Sequence, residues 1–129
     1  MGCGVAILRG RTLLLIRRAR PPEAGCWSLP GGKVELWEPI QAAARREIAE
    51  ELGVRIGMLE LLCVVDLVAP DEGAHWVSPV FLATALEGEP ALLEPEKHTG
   101  LGWFPLDALP GPLARSALGA AEALKSRAI

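Results

Sequence analysis

Residues 39–52 constrain this chain more than any other stretch, because they read as its clearest helix and crowd three glutamates onto one side of the last turn. Pro39 suits the first helical position, where its missing N–H is no loss, and Gly53 suits the left-handed residue that ends a helix. Glu47, Glu50 and Glu51 are spaced i, i+3, i+4, so at about 100° per residue they share an arc of roughly 100°. Glu47 and Glu51 form a like-charge i, i+4 pair, and Glu50 and Glu51 meet the negative end of the helix macrodipole. Each choice destabilises the helix. A hard divalent cation, which prefers carboxylate and carbonyl oxygens, compensates all of them at once, and Mg²⁺ is the natural candidate. The competing reading is a solvated acidic face softened by Arg45 and Arg46.

Around this helix the sequence reads as short strands and turns. Residues 5–8 and 12–16 are apolar runs split by Arg9-Gly10-Arg11, the pattern of a β-hairpin. Residues 17–26, with three Arg, two Pro and a Gly, read as a loop. Trp27-Ser28-Leu29 is expected as a brief strand, and Pro30-Gly31-Gly32 as a break in regular structure. Residues 54–68 are expected as one bent strand or two, with a turn at 70–73. Residues 76–86 form the next expected strand, in which Pro79 argues for an edge or a bulge, and residues 88–93 a shorter piece. A last strand at 101–104, a one-turn segment at 106–109 and a helix from 113 to 127 complete the order. That order predicts an α+β protein, an α/β/α sandwich with a mixed sheet between helices.

At 129 residues, half of them apolar, the chain is expected to be a single domain spanning 1–129. A net charge of −3 offers no broad basic surface, which excludes a nucleic-acid polymer or an anionic membrane as the expected partner. The apolar runs are too short to cross a bilayer. Cys3, Cys26 and Cys63 are odd in number and form no CxxC pair, so neither a disulfide framework nor a zinc site is expected and a cytoplasmic location is. The oligomeric state is left as monomer or homodimer.

Gly31-Gly32 lets backbone approach the acidic turn, and the arm that follows carries Glu35 and Glu38. Gly32, five residues, Glu38, seven residues, Arg46-Glu47-Ile48, one residue, Glu50-Glu51, one residue, Gly53-Val54 resembles the Nudix box at every defining position. The resemblance implies the Nudix fold over essentially the whole chain and hydrolysis of a phosphoanhydride bond in a small nucleotide. It implies Glu47 and Glu51 as the main Mg²⁺ ligands, Mn²⁺ being a substitute, with Glu50 a further ligand or water partner and the Gly32 carbonyl another. Arg46 would orient the glutamates and Glu38 brace the loop, while Gly31 and Gly53 serve the motif's shape and Ile48 and Leu52 anchor the helix. Glu47, Glu50, Glu51 and Arg46 are thus the expected catalytic set.

The general base is left among Glu47, Glu50 and a glutamate from an opposite loop, Glu94 or Glu96. Expected substrate contacts are Arg17, Arg18 or Lys33 on phosphate, Glu96, and one of Trp27, Trp76 and Trp103 stacked on a base, of which Trp76 is preferred. His75 and His98 are expected on the surface, in loops. The start directly at a first strand, and the pair of segments Leu93-Glu94-Pro95-Glu96-Lys97 and Trp103-Phe104-Pro105-Leu106, resemble the nucleoside triphosphate pyrophosphohydrolase branch. Pro70, sixteen residues beyond the box, points instead toward the branch that cleaves ADP-ribose or another nucleoside diphosphate-linked compound. A non-catalytic nucleotide-binding module is the third reading, against which all three box glutamates stand.

Overall fold

The computed structural model describes residues 1–127. Their elements run β1 (Gly2–Arg9), β2 (Thr12–Arg18), β3 (Trp27–Ser28), β4 (Gly31–Lys33), α1 (Ile40–Leu52), β5 (Arg55–Ile56), β6 (Glu60–Ala69), β7 (Ala74–Ala83), β8 (Leu86–Glu87), β9 (His98–Pro105) and α2 (Arg115–Ser126). β1 and β2 pair antiparallel across a turn at Gly10, whose φ of 61° suits glycine. Their unbroken apolar runs reflect burial on both faces. Val5 and Ile7 of β1 and Leu14 of β2 face one core, whereas Ala6, Leu13 and Leu15 face another.

The main sheet follows the order β3-β2-β1-β7-β6, with β9 on β2 and β4 on β1, and β5 with β8 forms a separate ribbon. β1 and β7 run parallel while the other pairs are antiparallel, so the sheet is mixed. On one face α1 buries Ala43, Ala44, Ile48 and Leu52 against Val5, Ile7, Leu14 and Phe81. On the other α2 buries Ala117, Ala120 and Leu124 against Ala6, Leu13, Leu15 and Leu82. This is the expected α/β/α sandwich, and both helices start within two residues of their predicted positions.

Two departures from the sequence reading have physical causes. Gly31-Gly32 is not a break: it opens β4, which pairs with β1 through Gly4↔Gly31 and Cys3↔Gly32. A Cβ at Gly31 would lie 2.1 Å from the Cys3 carbonyl oxygen at a φ of 152°, so the strand closes here because these residues lack side chains. Residues 88–93 form no strand. Instead the Ala91 N–H donates to the Leu52 carbonyl at 3.1 Å and the Leu93 N–H to the Glu51 carbonyl at 3.0 Å. Those carbonyls are left without partners where α1 ends, and the loop satisfies them. The bulge expected at Pro79 is present: Pro79 lies inside β7, one residue before the β1 ladder begins at Gly4↔Val80 and beside the register shift between Leu61 and Cys63.

Ile48 is fully buried in the α1 core and holds the rotation of the helix that carries the glutamates. Ile48→Ala is expected to destabilise the protein by about 2–5 kcal/mol in a urea titration. A loss well under 1 kcal/mol would show that this packing is not what fixes the helix.

Candidate active site

The last two turns of α1 lie against β4, and that contact assembles the acidic cluster. The Gly31 N–H donates to Glu51 Oε1 at 2.9 Å, and Glu51 is only 5 % exposed. Gly32 lies so close to Glu47 that a Cβ there would stand 2.3 Å from Glu47 Oε2. One glycine therefore supplies a hydrogen bond to a buried carboxylate and the next supplies room for its neighbour.

Arg46 ties the cluster together. Its Nε donates to Glu38 Oε2 at 2.8 Å, and Nη1 donates to Glu47 Oε1 at 2.9 Å and Glu50 Oε1 at 2.8 Å. Nη2 donates to Glu38 Oε1 at 3.0 Å and to the Lys33 carbonyl at 2.9 Å. Glu38 also accepts from the Glu35 N–H, so the arm between β4 and α1 is bound to the helix through one guanidinium. Arg46 holds the Glu38 carboxyl below the usual carboxylate range.

Burial acts the other way on the two inner glutamates. It pushes Glu51 up to about 8, against the Gly31 hydrogen bond and with added repulsion from Glu47 and Glu94. It also raises Glu47, against the hydrogen bond from Arg46. Carboxylates held this far from water need a proton or a cation. Their hard oxygen donors, faced on the Glu51 side by one lysine, Lys97, which pairs with Glu94, fit a divalent metal ion.

Residues 94–98 close that side. The Lys97 and His98 N–H groups both donate to the Glu94 carbonyl, at 2.9 and 3.2 Å. This turn brings Glu94 and His98 beside Glu51, with one ligand atom of each within 4.8 Å of the others. His98 is 5 % exposed, and burial lowers its pKa, keeping the ring neutral. The expectation that His98 is a surface loop residue is thereby corrected: it begins β9 and is buried, while His75 is exposed but on β7. Of the two loop glutamates, Glu94 joins the cluster and Glu96 is exposed outside it.

A cleft of about 260 Å³ opens on the opposite side of Gly31-Gly32. Leu29, Val65, Leu67, Trp76 and Val80 give it an apolar lining, and Arg18, Lys33 and Arg115 bring positive charge to it. Trp76 and Lys33, expected as a base platform and a phosphate contact, both line this cleft. Arg17 does not line the cleft: it is exposed and donates to the Gly25 carbonyl at 3.2 Å. Trp27 packs edge-on against Phe104, and Trp103 lies under Arg9. Glu23, also at the cleft, accepts from the Arg115 N–H at 2.8 Å and fastens the loop before β3 to the start of α2. Arg115 and Glu23 carry no periodic or motif signal, so sequence reasoning missed them. His98 had one, its four-residue separation from Glu94, the same separation as Glu47 and Glu51.

The family model described as the NUDIX domain matches residues 1–126. The fold superposes with a TM-score of 0.93 on the crystal structure of a MutT NUDIX hydrolase from Burkholderia pseudomallei, at 54 % identity over 95 % of each chain. A Mycobacterium tuberculosis protein named as a candidate 8-oxo-dGTP diphosphatase is 42 % identical over 101 residues, 76 % of this chain and 67 % of that protein. A Methanocaldococcus jannaschii protein named ADP-ribose pyrophosphatase is 39 % identical over 83 residues, 64 % of this chain and 49 % of that protein.

The raised Glu51 makes the metal-free fold pH-dependent in a defined direction. With a folded pKa near 8 against the ordinary 4.5, the folded state keeps a proton that the unfolded chain has released between those values. This contribution to stability is complete below pH 4.5 and is lost as pH rises toward 8. In EDTA, Glu51→Gln is expected to melt at a higher temperature than the parent protein at pH 9 and close to it at pH 4.5. A lower melting temperature for the variant at pH 9 would contradict this electrostatic account.

Proposed function

Because the chain belongs to the Nudix family, we propose that it is an Mg²⁺-dependent hydrolase that cleaves a nucleoside triphosphate to the monophosphate and pyrophosphate. The observation that carries this reading is the meeting, at Gly31-Gly32, of a nucleoside-sized cleft on one side and a buried carboxylate cluster on the other. A substrate lying across that dipeptide places its base in an apolar slot and its phosphates beside the glutamates. Kinship with proteins named for phosphoanhydride cleavage agrees with it.

We assign Glu47, Glu51 and Glu50, with the Gly32 carbonyl, as the groups that would hold the metal. When bound, a divalent cation screens the charge of the phosphoryl oxygens and makes a neighbouring water more acidic. The remaining work falls to the chain's own residues. The Gly31 N–H fixes one oxygen of Glu51, and Arg46 fixes Oε1 of Glu47 and of Glu50, so the three carboxylates are oriented before substrate arrives. Glu47 Oε2 accepts no hydrogen bond from Arg46, and burial raises the group's affinity for a proton, which suits it to take one from the attacking water. Lys33 and Arg115 favour an anionic ligand in the cleft, and its apolar lining, Trp76 included, excludes water from around the base.

The whole chain acts as one domain in this reading, on a small nucleotide rather than a polymer, in the cytoplasm. Among the described residues no helix is long and apolar enough to cross a membrane. The similarity to a protein named ADP-ribose pyrophosphatase keeps cleavage of ADP-ribose-type compounds as the second reading.

Incubation with Mg²⁺ and a panel of nucleoside triphosphates, ADP-ribose and nucleotide sugars separates the two. Pyrophosphate released from a triphosphate is the expected result, whereas AMP with ribose phosphate as the main products would select the second reading. Glu51→Gln is expected to lower turnover at least about 100-fold, the upper range for disturbing a group behind a metal ligand. Full activity in that variant would overturn the assignment.

A further inference from the structure

The box supplies oxygen ligands only, yet the side of Glu51 away from Arg46 is closed by a nitrogen. The His98 ring is 5 % exposed, and its buried Nδ1 has no hydrogen-bond partner. Its Nε2 stands 3.7 Å from Glu51 Oε2, beyond hydrogen-bonding distance. Nδ1 is thus the buried nitrogen without a partner, and a neutral ring that keeps its proton there presents the Nε2 lone pair toward Glu51 Oε2, where a cation would accept it.

The spacing suits one. Two ligand atoms each about 2.1 Å from a shared ion are about 3.0 Å apart at a right angle and about 3.6 Å apart at about 120°. The observed Nε2 to Oε2 separation of 3.7 Å lies at the wide end of that range, within a small side-chain adjustment of what one ion would bridge. Glu94 supplies a third donor on the same side. Its turn is fixed by hydrogen bonds from the Lys97 and His98 N–H groups and joined to α1 through the Leu93 N–H.

We infer that Glu51, Glu94 and His98 form a mixed nitrogen and oxygen site for a divalent transition-metal ion, with His98 as a ligand beyond the box set. The inference shares Glu51 with the metal-dependent reading above and extends it. An imidazole donor favours Mn²⁺, Co²⁺ or Zn²⁺ over Mg²⁺, which takes oxygen ligands almost exclusively.

The test is pulsed electron paramagnetic resonance of Mn²⁺ added to the full chain labelled with ¹⁵N-histidine, which has only His75 and His98 to report. A ¹⁵N coupling that persists in His75→Gln and disappears in His98→Asn is the expected result, and the His75→Gln spectrum alone assigns the coupling if the His98 variant does not fold. Bound Mn²⁺ with no histidine coupling, or a coupling that His75→Gln removes, would overturn this site while leaving metal-dependent hydrolysis standing. No Mn²⁺ binding at all would overturn both. Calorimetry supplies a second readout: His98→Asn is expected to weaken Co²⁺ binding about 10–100-fold and Mg²⁺ binding little, and equal losses for both would contradict a nitrogen ligand.

Discussion

The burial and crowding of carboxylates at the end of α1 is the constraint to which the rest of this structure answers. Two unit charges 4 Å apart repel by about 4 kcal/mol where the effective dielectric is near 20, and Glu47, Glu50, Glu51 and Glu94 are gathered beside the helix end that least welcomes them. Arg46 offsets the repulsion on one side by binding Glu38, Glu47 and Glu50 together. On the other side Glu51 and Glu94 face a neutral histidine and one lysine, Lys97, whose Nζ lies 3.2 Å from Glu94. The imbalance is local and directional, which is what a cation site requires.

The scaffold exists to hold that imbalance in place. Ile48 and Leu52 fix the helix in the core, and β4 pins Glu51 from across the gap with a backbone N–H. The 91–98 loop binds the terminal carbonyls of α1 before delivering Glu94 and His98. Because β4 also forms one end of the cleft, any group bound in the cleft is referenced to the same dipeptide that positions the carboxylates. The cleft and the carboxylates thus share one short strand, held in place by pairing with β1.

Much of this was legible in the sequence, and the part that was not has a common cause. Local signals succeeded: Pro39 and Gly53 bound the helix, the i, i+3, i+4 spacing put the glutamates on one face, and Arg9-Gly10-Arg11 announced the hairpin. Failures came where pairing between distant segments decides the outcome. Gly31-Gly32 looked like a breaker because glycine is usually one, but only glycine fits against Cys3. Residues 88–93 looked like a strand, yet the end of α1 claimed their N–H groups. Glu94 and Glu96 were equivalent as letters, and only the turn that also buries His98 separates them. The cleft draws on residues from Gly2 to Ser116, so no window of the sequence contains it.

The most direct test of the central claim is anomalous diffraction from crystals soaked in Mn²⁺. The account predicts a peak at metal–oxygen bonding distance from Glu47 and Glu51, beside the Gly32 carbonyl. A map in which the acidic turn carries no ion, with its carboxylates turned apart into solvent, would contradict it.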